Sequence, residues 1–134
     1  MQKHILIVDD DPGMVLLLEE VLQHEGFSTH SAGDGRGALD LLQKGLVPQL
    51  ILLDLIMPHM NGWEFMEQLR ILNPLRSIPV IVMTGTYLRT PQEQLPYIIF
   101  KPFDFEQLLH LIDEISLTTE KSASNPDVIG VAHL

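Results

Sequence analysis

The sequence predicts an α/β protein with a parallel sheet, and two observations support this prediction. Four short apolar runs each lead into polar or charged residues, and these runs are residues 4–8, 50–53, 80–83 and 97–100. Segments with apolar residues at helical spacing lie between most of these runs. Strands that alternate with helices through short connections form right-handed crossovers and a parallel sheet. With a weaker strand at residues 27–32, we expect five parallel strands and helices on both faces.

The length and composition of the chain indicate one domain. The chain has 134 residues, of which 46% are apolar, and this is enough for one core of ordinary size. We expect residues 1–117 to form the domain. Residues 118–134 contain many Ser, Thr, Asn and Pro residues, so we expect a mostly mobile tail that is too short for an output domain.

The charge and residue usage argue against several classes of function. The net charge is −10 and only 8 residues are Lys or Arg, whereas a nucleic-acid surface needs clustered positive charge. The chain has no cysteine, so it contains no disulfide framework. No apolar run approaches the ~20 residues of a membrane span. We therefore expect a cytoplasmic protein with no membrane insertion and no nucleic-acid partner.

Helix start and stop signals place the elements of the first half. Strand 1 is expected at about residues 4–9, and helix 1 at 12–25, because Asp11 offers an N-cap oxygen and proline suits the first helical position. Gly26 supplies the stop. The polar character of residues 27–32 suits an edge strand, and a short second helix is expected to end at Gly45. The core-facing residues expected on helix 1 are Met14, Leu17, Leu18, Val21 and Leu22.

The second half shows similar signals. Asn61 with Glu64 resembles a capping box and opens a third helix, which Asn73-Pro74 ends. Strand 4 follows Pro79, and Asp104 caps the last helix. The stretch 85–96 is polar with two prolines, which leaves room for only a shortened or irregular fourth helix. The core-facing residues expected on the third helix are Phe65, Met66, Leu69 and Leu72.

Polar residues follow the predicted strands at one edge of the sheet. The carboxyl ends of parallel strands meet at the same edge, which is where ligands bind in open α/β sheets. Carboxylates held together there repel one another, and a hard divalent cation such as Mg²⁺ relieves that repulsion. The residues gathered at this edge are Asp9, Asp10, Asp54, Thr84 and Lys101.

This set of residues resembles the receiver domain of two-component response regulators. The D-x-x-M-P-x-x-x-G pattern formed by Asp54, Met57, Pro58 and Gly62 is part of the resemblance, which covers about residues 3–117. The resemblance implies a flavodoxin-like, doubly wound sheet with strand order 2-1-3-4-5. It also implies that Asp54 accepts a phosphoryl group from a histidine kinase or a histidine phosphotransfer protein.

The resemblance further implies a role for each polar residue of the edge. Asp10 and Asp54 would bind Mg²⁺ directly and Asp9 would bind it through water, while the backbone carbonyl of Ile56 completes the protein ligands. Lys101 and Thr84 would contact the phosphoryl oxygens. Such a protein signals to a downstream protein by conformational change and catalyses only its own phosphorylation and dephosphorylation.

The sequence departs from the family pattern beyond strand 4. Receivers often carry an aromatic residue three positions before the lysine, where the ring moves inward as the threonine closes on the phosphoryl group. Ile98 holds this position, and Tyr97 should point to the opposite face of the strand. We therefore expect Thr84 and Ile98 to form a switch without the aromatic part.

Three functions are compatible with these residues. The first is a stand-alone phosphoacceptor receiver, which signals by protein contact or serves as a phosphorelay intermediate. The second is a receiver-like interaction module that is regulated without phosphorylation. The third is an Mg²⁺-dependent aspartyl-phosphate hydrolase, which needs a second aspartate two residues after the nucleophile. Ile56 occupies that position, so this function ranks last.

Overall fold

A computed structural model describes residues 3–57, 60–72, 78–85 and 97–124 of the chain. Five strands are present in this part, and they are β1 (Lys3–Val8), β2 (Phe27–Ala32), β3 (Leu50–Asp54), β4 (Val80–Thr84) and β5 (Tyr97–Phe100). Four helices are described, and they are α1 (Pro12–His24), α2 (Gly35–Gln43), α3 (Gly62–Leu72) and α4 (Phe105–Ser124). None of the helices within these ranges is both long and apolar enough to cross a membrane.

The five strands form one parallel sheet in the order β2-β1-β3-β4-β5. The predicted flavodoxin-like order is therefore confirmed. Strand β1 lies between β2 and β3, where Val8 is in register with Ala32 on one side and Leu53 on the other. Every residue of β3 and β4 is buried, as expected of central strands covered on both faces.

The side chains of the strands alternate between two apolar layers. On one face, β-strand residues such as Ile7, Leu52 and Met83 pack with α1 and α4. On the other face, Val8, Leu53 and their neighbours pack with α2 and α3. This alternation follows from the period of two along a strand. It buries both faces of the central strands β3 and β4, so polar chemistry on these strands is confined to their ends.

The predicted helix caps are present. Oδ1 of Asp11 accepts a hydrogen bond from the backbone N–H of Gly13 at 3.0 Å, and Oδ1 of Asn61 accepts one from Glu64 at 3.0 Å. Asp104 caps α4 by accepting from the N–H of Glu106 at 2.9 Å. Gly26, after α1, has a φ of 94°, which other residues rarely adopt. The start of α1 at Pro12 is the predicted one, and its end at His24 lies one residue before the predicted end.

Two residues that were expected in the core are exposed, so these two predictions were wrong. Leu17 of α1 is 50% exposed and Leu72 of α3 is 40% exposed. Helix α1 buries a narrow stripe centred on Leu18 and Leu22, and Leu17 lies about 100° around the helix from Leu18. Leu72 is the last residue of α3. Helical spacing identified both helices, but it did not show how much of each face the sheet covers.

The last helix extends further than expected. Helix α4 continues to Ser124, so residues 118–124 are helical. No Gly or Pro interrupts this stretch before Pro126, which explains why the helix continues. The division of the chain at residue 117 stays a prediction.

Several other predictions fall on residues outside the described ranges. Pro58 and the Asn73-Pro74 stop lie there, as do residues 86–96 with the expected irregular fourth helix and residues 125–134 of the tail.

Candidate functional site

Asp54 is the last residue of the central strand β3, and its backbone is in register with Met83 of β4. Only 9% of the residue is exposed. Oδ1 of Asp54 accepts a hydrogen bond from the backbone N–H of Ile56 at 3.2 Å. This contact orients one carboxylate oxygen toward the protein. Because the strand ends here, the carboxylate lies at the carboxyl end of the sheet, where the sequence placed it.

Asp9 follows β1 and is almost fully buried, with 1% of the residue exposed. Its backbone N–H continues the sheet by donating to the carbonyl of Ala32 at 3.1 Å. Its Oδ1 accepts from the N–H of Asp11 at 2.9 Å, and its Oδ2 contacts Nζ of Lys101 at 3.0 Å. Both carboxylate oxygens are therefore held by donors of the protein.

Asp10 differs from Asp9 because it is exposed. One carboxylate oxygen from each of Asp9, Asp10 and Asp54 lies within 4.8 Å of the others. Three oxygen ligands at this separation suit a hard divalent cation, and Mg²⁺ is commonly held by one or two carboxylates and several waters. The geometry thus brings the three predicted acidic residues together in a group that fits such an ion.

Lys101 brings a positive charge into this acidic group. It follows β5, and its backbone N–H donates to the carbonyl of Thr84 at 2.8 Å. Its Nζ lies 3.0 Å from Asp9 and 3.8 Å from Asp54. The Lys101–Pro102 peptide bond is cis. The sequence predicted that Lys101 would lie near Asp54, but the shorter contact with Asp9 was missed, because no local pattern links residues that are 92 positions apart.

The surroundings of Asp54 act on its carboxyl group in opposite directions. Burial removes water and raises the pKa of Asp54, and this is the largest effect. The charge of Lys101 and the N–H of Ile56 lower the pKa, while Asp9 and Asp10 raise it further. The net result is a raised pKa. A bound divalent cation would favour the carboxylate form and so oppose this shift.

Thr84 ends β4 and is buried, with its backbone in register with Phe100 of β5. Ile98 is half-buried and packs in the apolar layer between the sheet and helices α2 and α3. Tyr97 is buried in the opposite layer. The prediction that Tyr97 and Ile98 face opposite sides of the sheet is therefore confirmed, and Ile98 lies on the face that also holds Val82.

Gly62 supports the backbone just beyond Asp54. Its N–H donates to the carbonyl of Leu55 at 2.8 Å. A Cβ atom at this position would lie 2.8 Å from Cα of Leu55 and 3.2 Å from the carbonyl oxygen of Asp54. Real Cβ atoms essentially never come within 3.0 Å of a backbone atom, so the start of α3 against the end of β3 strongly favours glycine at residue 62. The sequence showed this residue as part of a motif but gave no physical reason for it.

Ile56 was expected to offer its backbone carbonyl to a cation. Its N–H donates to Oδ1 of Asp54, and the residue is 61% exposed beside the site.

The fold gathers all five predicted polar residues at one edge of the sheet. They lie at the ends of β1, β3 and β4 and just after β5. We call Asp9, Asp10, Asp54, Thr84 and Lys101 the carboxyl-end site.

Comparison with known proteins identifies relatives along most of the chain. The chain is 36% identical over 113 residues to sporulation initiation phosphotransferase F of Bacillus subtilis. This alignment covers 81% of this chain and 89% of that protein. It is 42% identical over 85 residues to the DNA-binding response regulator MtrA of Mycolicibacterium smegmatis. That match covers 63% of this chain and 36% of MtrA, so the chain matches about a third of the length of this relative.

Solved structures show the same fold. The response regulator protein TrrA of Thermotoga maritima, solved in complex with Mg²⁺ and BeF, aligns with a TM-score of 0.73 and 29% identity. The alignment covers 84% of this chain and 98% of TrrA. The chemotaxis protein CheY4 of Vibrio cholerae aligns with a TM-score of 0.76 and 27% identity, covering 85% of this chain and 98% of that one.

The family model of the response regulator receiver domain matches residues 5–113. These residues include all five strands except the first two positions of β1, and they include every member of the carboxyl-end site. The fold, the site and the family match agree. The chain therefore belongs to the response regulator receiver domain family, whose members act in two-component signalling.

Proposed function

We propose that this receiver domain accepts a phosphoryl group on Asp54 and signals through the resulting change at the carboxyl-end site. One observation carries the proposal. The buried carboxylate of Asp54 lies 3.8 Å from Nζ of Lys101 and within 4.8 Å of two further carboxylates. A carboxylate held among a cation and metal-binding oxygens suits phosphoryl transfer, which depends mainly on positioning and charge stabilisation.

The transfer step balances with one proton from solvent. A carboxylate oxygen of Asp54 attacks the phosphorus of a phosphohistidine in line with the nitrogen that leaves. The P–O bond forms as the P–N bond breaks, and the histidine ring of the donor takes up a proton from solvent. The product is an acyl phosphate on Asp54. Because Oδ1 of Asp54 is held by the N–H of Ile56, Oδ2 is the oxygen we assign as the nucleophile.

The acidic residues supply the cation site for this step. Asp10 and Asp54 would hold Mg²⁺ directly, Asp9 would act through water, and the carbonyl of Ile56 would complete the set. When bound, Mg²⁺ supplies positive charge that neutralises the phosphoryl oxygens. The buried Asp9 is already paired with Lys101 at 3.0 Å, which supports an indirect role for it.

Lys101 and Thr84 act on the phosphoryl group itself. The ammonium group of Lys101 lies between Asp9 and Asp54 and would contact a phosphoryl oxygen, where it offsets the added negative charge. The hydroxyl of Thr84 would donate a hydrogen bond to another oxygen. Ile98 is stiff at χ1 and shorter than an aromatic ring, so it fills little of any space that Thr84 vacates. We propose that the switch works without an aromatic movement at this position.

The same residues would also remove the phosphoryl group. Water attacks the phosphorus, the bond to the Asp54 oxygen breaks, and inorganic phosphate leaves. The exposed side of the site gives water access, and the Lys101 charge stabilises the departing phosphate. The domain would then act only on itself, as a timed signal rather than as an enzyme for a separate substrate.

The phosphoryl donor is proposed to be a histidine kinase or a histidine phosphotransfer protein in the cytoplasm. The similarity to a protein named a sporulation initiation phosphotransferase supports a place in a phosphorelay. The net charge of −10 supports a protein rather than a nucleic acid as the direct partner of these residues.

Intact mass spectrometry tests the proposal. The chain is incubated with acetyl phosphate or phosphoramidate, with and without Mg²⁺, and we expect one added phosphoryl group only when Mg²⁺ is present. Asp54→Asn should not gain this mass. Asp113→Asn changes an exposed aspartate of α4 in the same way and should behave like the wild type. An unchanged mass under every donor would contradict the proposal and favour an interaction module that is regulated without phosphorylation.

A further inference from the structure

A second group of metal-ligating side chains lies away from the carboxyl-end site. His4 of β1 and His30 of β2 face each other, with Nδ1 of His4 3.0 Å from Nε2 of His30. The two rings have their centroids 5.2 Å apart and are tilted by 38°. Both residues are half-buried. No local spacing in the sequence links the two histidines, which are 26 residues apart.

The sheet holds the two rings in this position. His30 is in register with Leu6, two residues beyond His4, so the histidines are diagonal neighbours on one face of adjacent parallel strands. Leu6 and Ala32 show that this is the face covered by α2 and α3. Since β2 is the outermost strand, the pair lies at the open edge of the sheet. Both residues are partly exposed, so solvent reaches the pair.

The contact between the rings requires that only one of the two facing nitrogens carries a proton. Two ring nitrogens 3.0 Å apart need one N–H and one lone pair, because two N–H groups would repel. A single proton therefore lies between the nitrogens. When the donor ring passes to its other tautomer, with the proton on its far nitrogen, both facing nitrogens offer lone pairs. A neutral imidazole nitrogen is also a common ligand of transition metals.

We propose that His4 and His30 form a binding site for a borderline divalent transition metal, represented by Zn²⁺. Zinc binds a histidine nitrogen at about 2.0–2.1 Å, so two nitrogens on one tetrahedral ion lie about 3.3 Å apart. The observed 3.0 Å is close to this separation, and each ring would turn so that its lone pair points at the ion instead of at the other nitrogen. Adjacent strands that are already paired pre-form the site, and imidazole ligands favour Zn²⁺ over Mg²⁺.

The two histidines supply only part of a tetrahedral coordination shell. Among the residues that the structure describes, no other His, Asp or Glu joins the two histidines in a metal-binding group. Water would therefore complete the coordination, and the ion would exchange readily. A bound ion would tie the edge strand β2 to β1 and so stabilise the folded state by an amount that rises with the logarithm of the Zn²⁺ concentration above the Kd.

This site is separate from the acidic group in position and in chemistry. His4 and Asp9 are five residues apart along an extended strand, which corresponds to about 16 Å. Mg²⁺ prefers the carboxylate oxygens of Asp10 and Asp54, whereas the histidine pair offers only nitrogen. Zinc binding by the histidine pair can therefore be tested independently of phosphorylation at Asp54.

Isothermal titration of the full chain with Zn²⁺, in excess Mg²⁺ to saturate the carboxylates, tests the site. We expect one Zn²⁺ per chain. His4→Gln and His30→Gln should each weaken binding by about tenfold or more, since even a residue that only supports a ligand commonly changes affinity by about 10–100-fold. The matched control is His24→Gln, an exposed histidine in the last turn of α1, which should bind like the wild type. Unchanged binding in either pair variant, or equal weakening in the control, would overturn the proposal.

A second measurement on the wild type does not depend on the folding of any variant. The ¹⁵N resonances of the imidazole rings are recorded with and without Zn²⁺, again in excess Mg²⁺. Zinc should move the Nδ1 resonance of His4 and the Nε2 resonance of His30, and it should leave the ring of His24 unchanged. If the ring nitrogens of the pair keep their resonances at saturating Zn²⁺, then the pair only shares a proton and the proposed metal site is wrong.

Discussion

Asp54 and Tyr97 are both buried acids, but they lie at opposite ends of the sheet and in different electrostatic surroundings. Burial raises the pKa of Asp54 at the carboxyl end of β3, and burial also raises the pKa of Tyr97 at the amino end of β5. At Asp54, the charge of Lys101 and the N–H of Ile56 oppose this effect. At Tyr97, the nearby charge of Glu114 adds to it.

The difference shows where the protein supports buried charge. The carboxyl end supplies a cation and backbone donors for its carboxylates, so a charged nucleophile is retained there at some cost in stability. At the amino end, burial and the charge of Glu114 both raise the pKa of Tyr97, so its phenol stays neutral until the solution is strongly alkaline. Removing charge should therefore have large effects at the carboxyl end and small effects at the amino end.

The largest expected effect comes from removing the cation of the carboxyl end. Lys101→Met leaves Asp9 buried without its partner at 3.0 Å, and breaking such a pair costs about 3 kcal/mol or more. Urea unfolding at pH 7 in metal-free buffer measures this loss. Lys44→Met, at the exposed C-cap of α2, is the matched control and should change stability by less than about 0.5 kcal/mol. Equal losses in the two variants would show that Asp9 does not depend on Lys101.

The next effect concerns the backbone that holds Asp54. Gly62→Ala places a methyl group 2.8 Å from Cα of Leu55, and overpacking of this kind costs about 1–3 kcal/mol. Gly33→Ala serves as the control, because nothing lies within 4 Å of the added atom. Urea unfolding of both variants provides the comparison. A stable Gly62→Ala protein would mean that α3 can shift away from the end of β3 without cost.

A smaller effect is expected when Asp54 itself loses its charge. Its pKa is raised in the folded state, so the folded protein holds the proton more tightly than the unfolded chain does. The stability that the proton gives is lost as the pH rises from 3.8 through the folded pKa. In EDTA, Asp54→Asn should therefore be more stable than the wild type at pH 7, and this advantage should shrink as the pH falls toward 3.8. A variant that is less stable at pH 7 would show that the pairing with Lys101 outweighs burial.

The smallest effect belongs to the amino end. Since the pKa of Tyr97 is raised above 10.0, the folded state keeps the phenol proton while the unfolded chain releases it. The wild type should lose stability as the pH rises through 10.0, and Tyr97→Phe should lose less. At pH 7 the two proteins should differ little. Thermal unfolding at several alkaline pH values measures this, and parallel curves for both proteins would show that Tyr97 is not buried in solution.

Local sequence signals predicted more of the fold than of the site. Asp11, Asn61 and Asp104 cap their helices as expected, because a cap depends on residues that are two or three positions apart. The exposure of Leu17 was not predictable in this way, since it depends on how α1 lies against the sheet. For the same reason, the approach of Lys101 to Asp9 appeared only in the structure.

The sequence by itself determined the strands, the helix caps and the edge of the sheet at which the acidic residues, Thr84 and Lys101 meet. These features follow from the apolar runs and from the polar residues that directly end them. Only the tertiary structure decided which charges pair, which helix face is buried and that His4 meets His30. Strand order and register set these contacts, and they join residues that are far apart in the chain, where no local spacing constrains them.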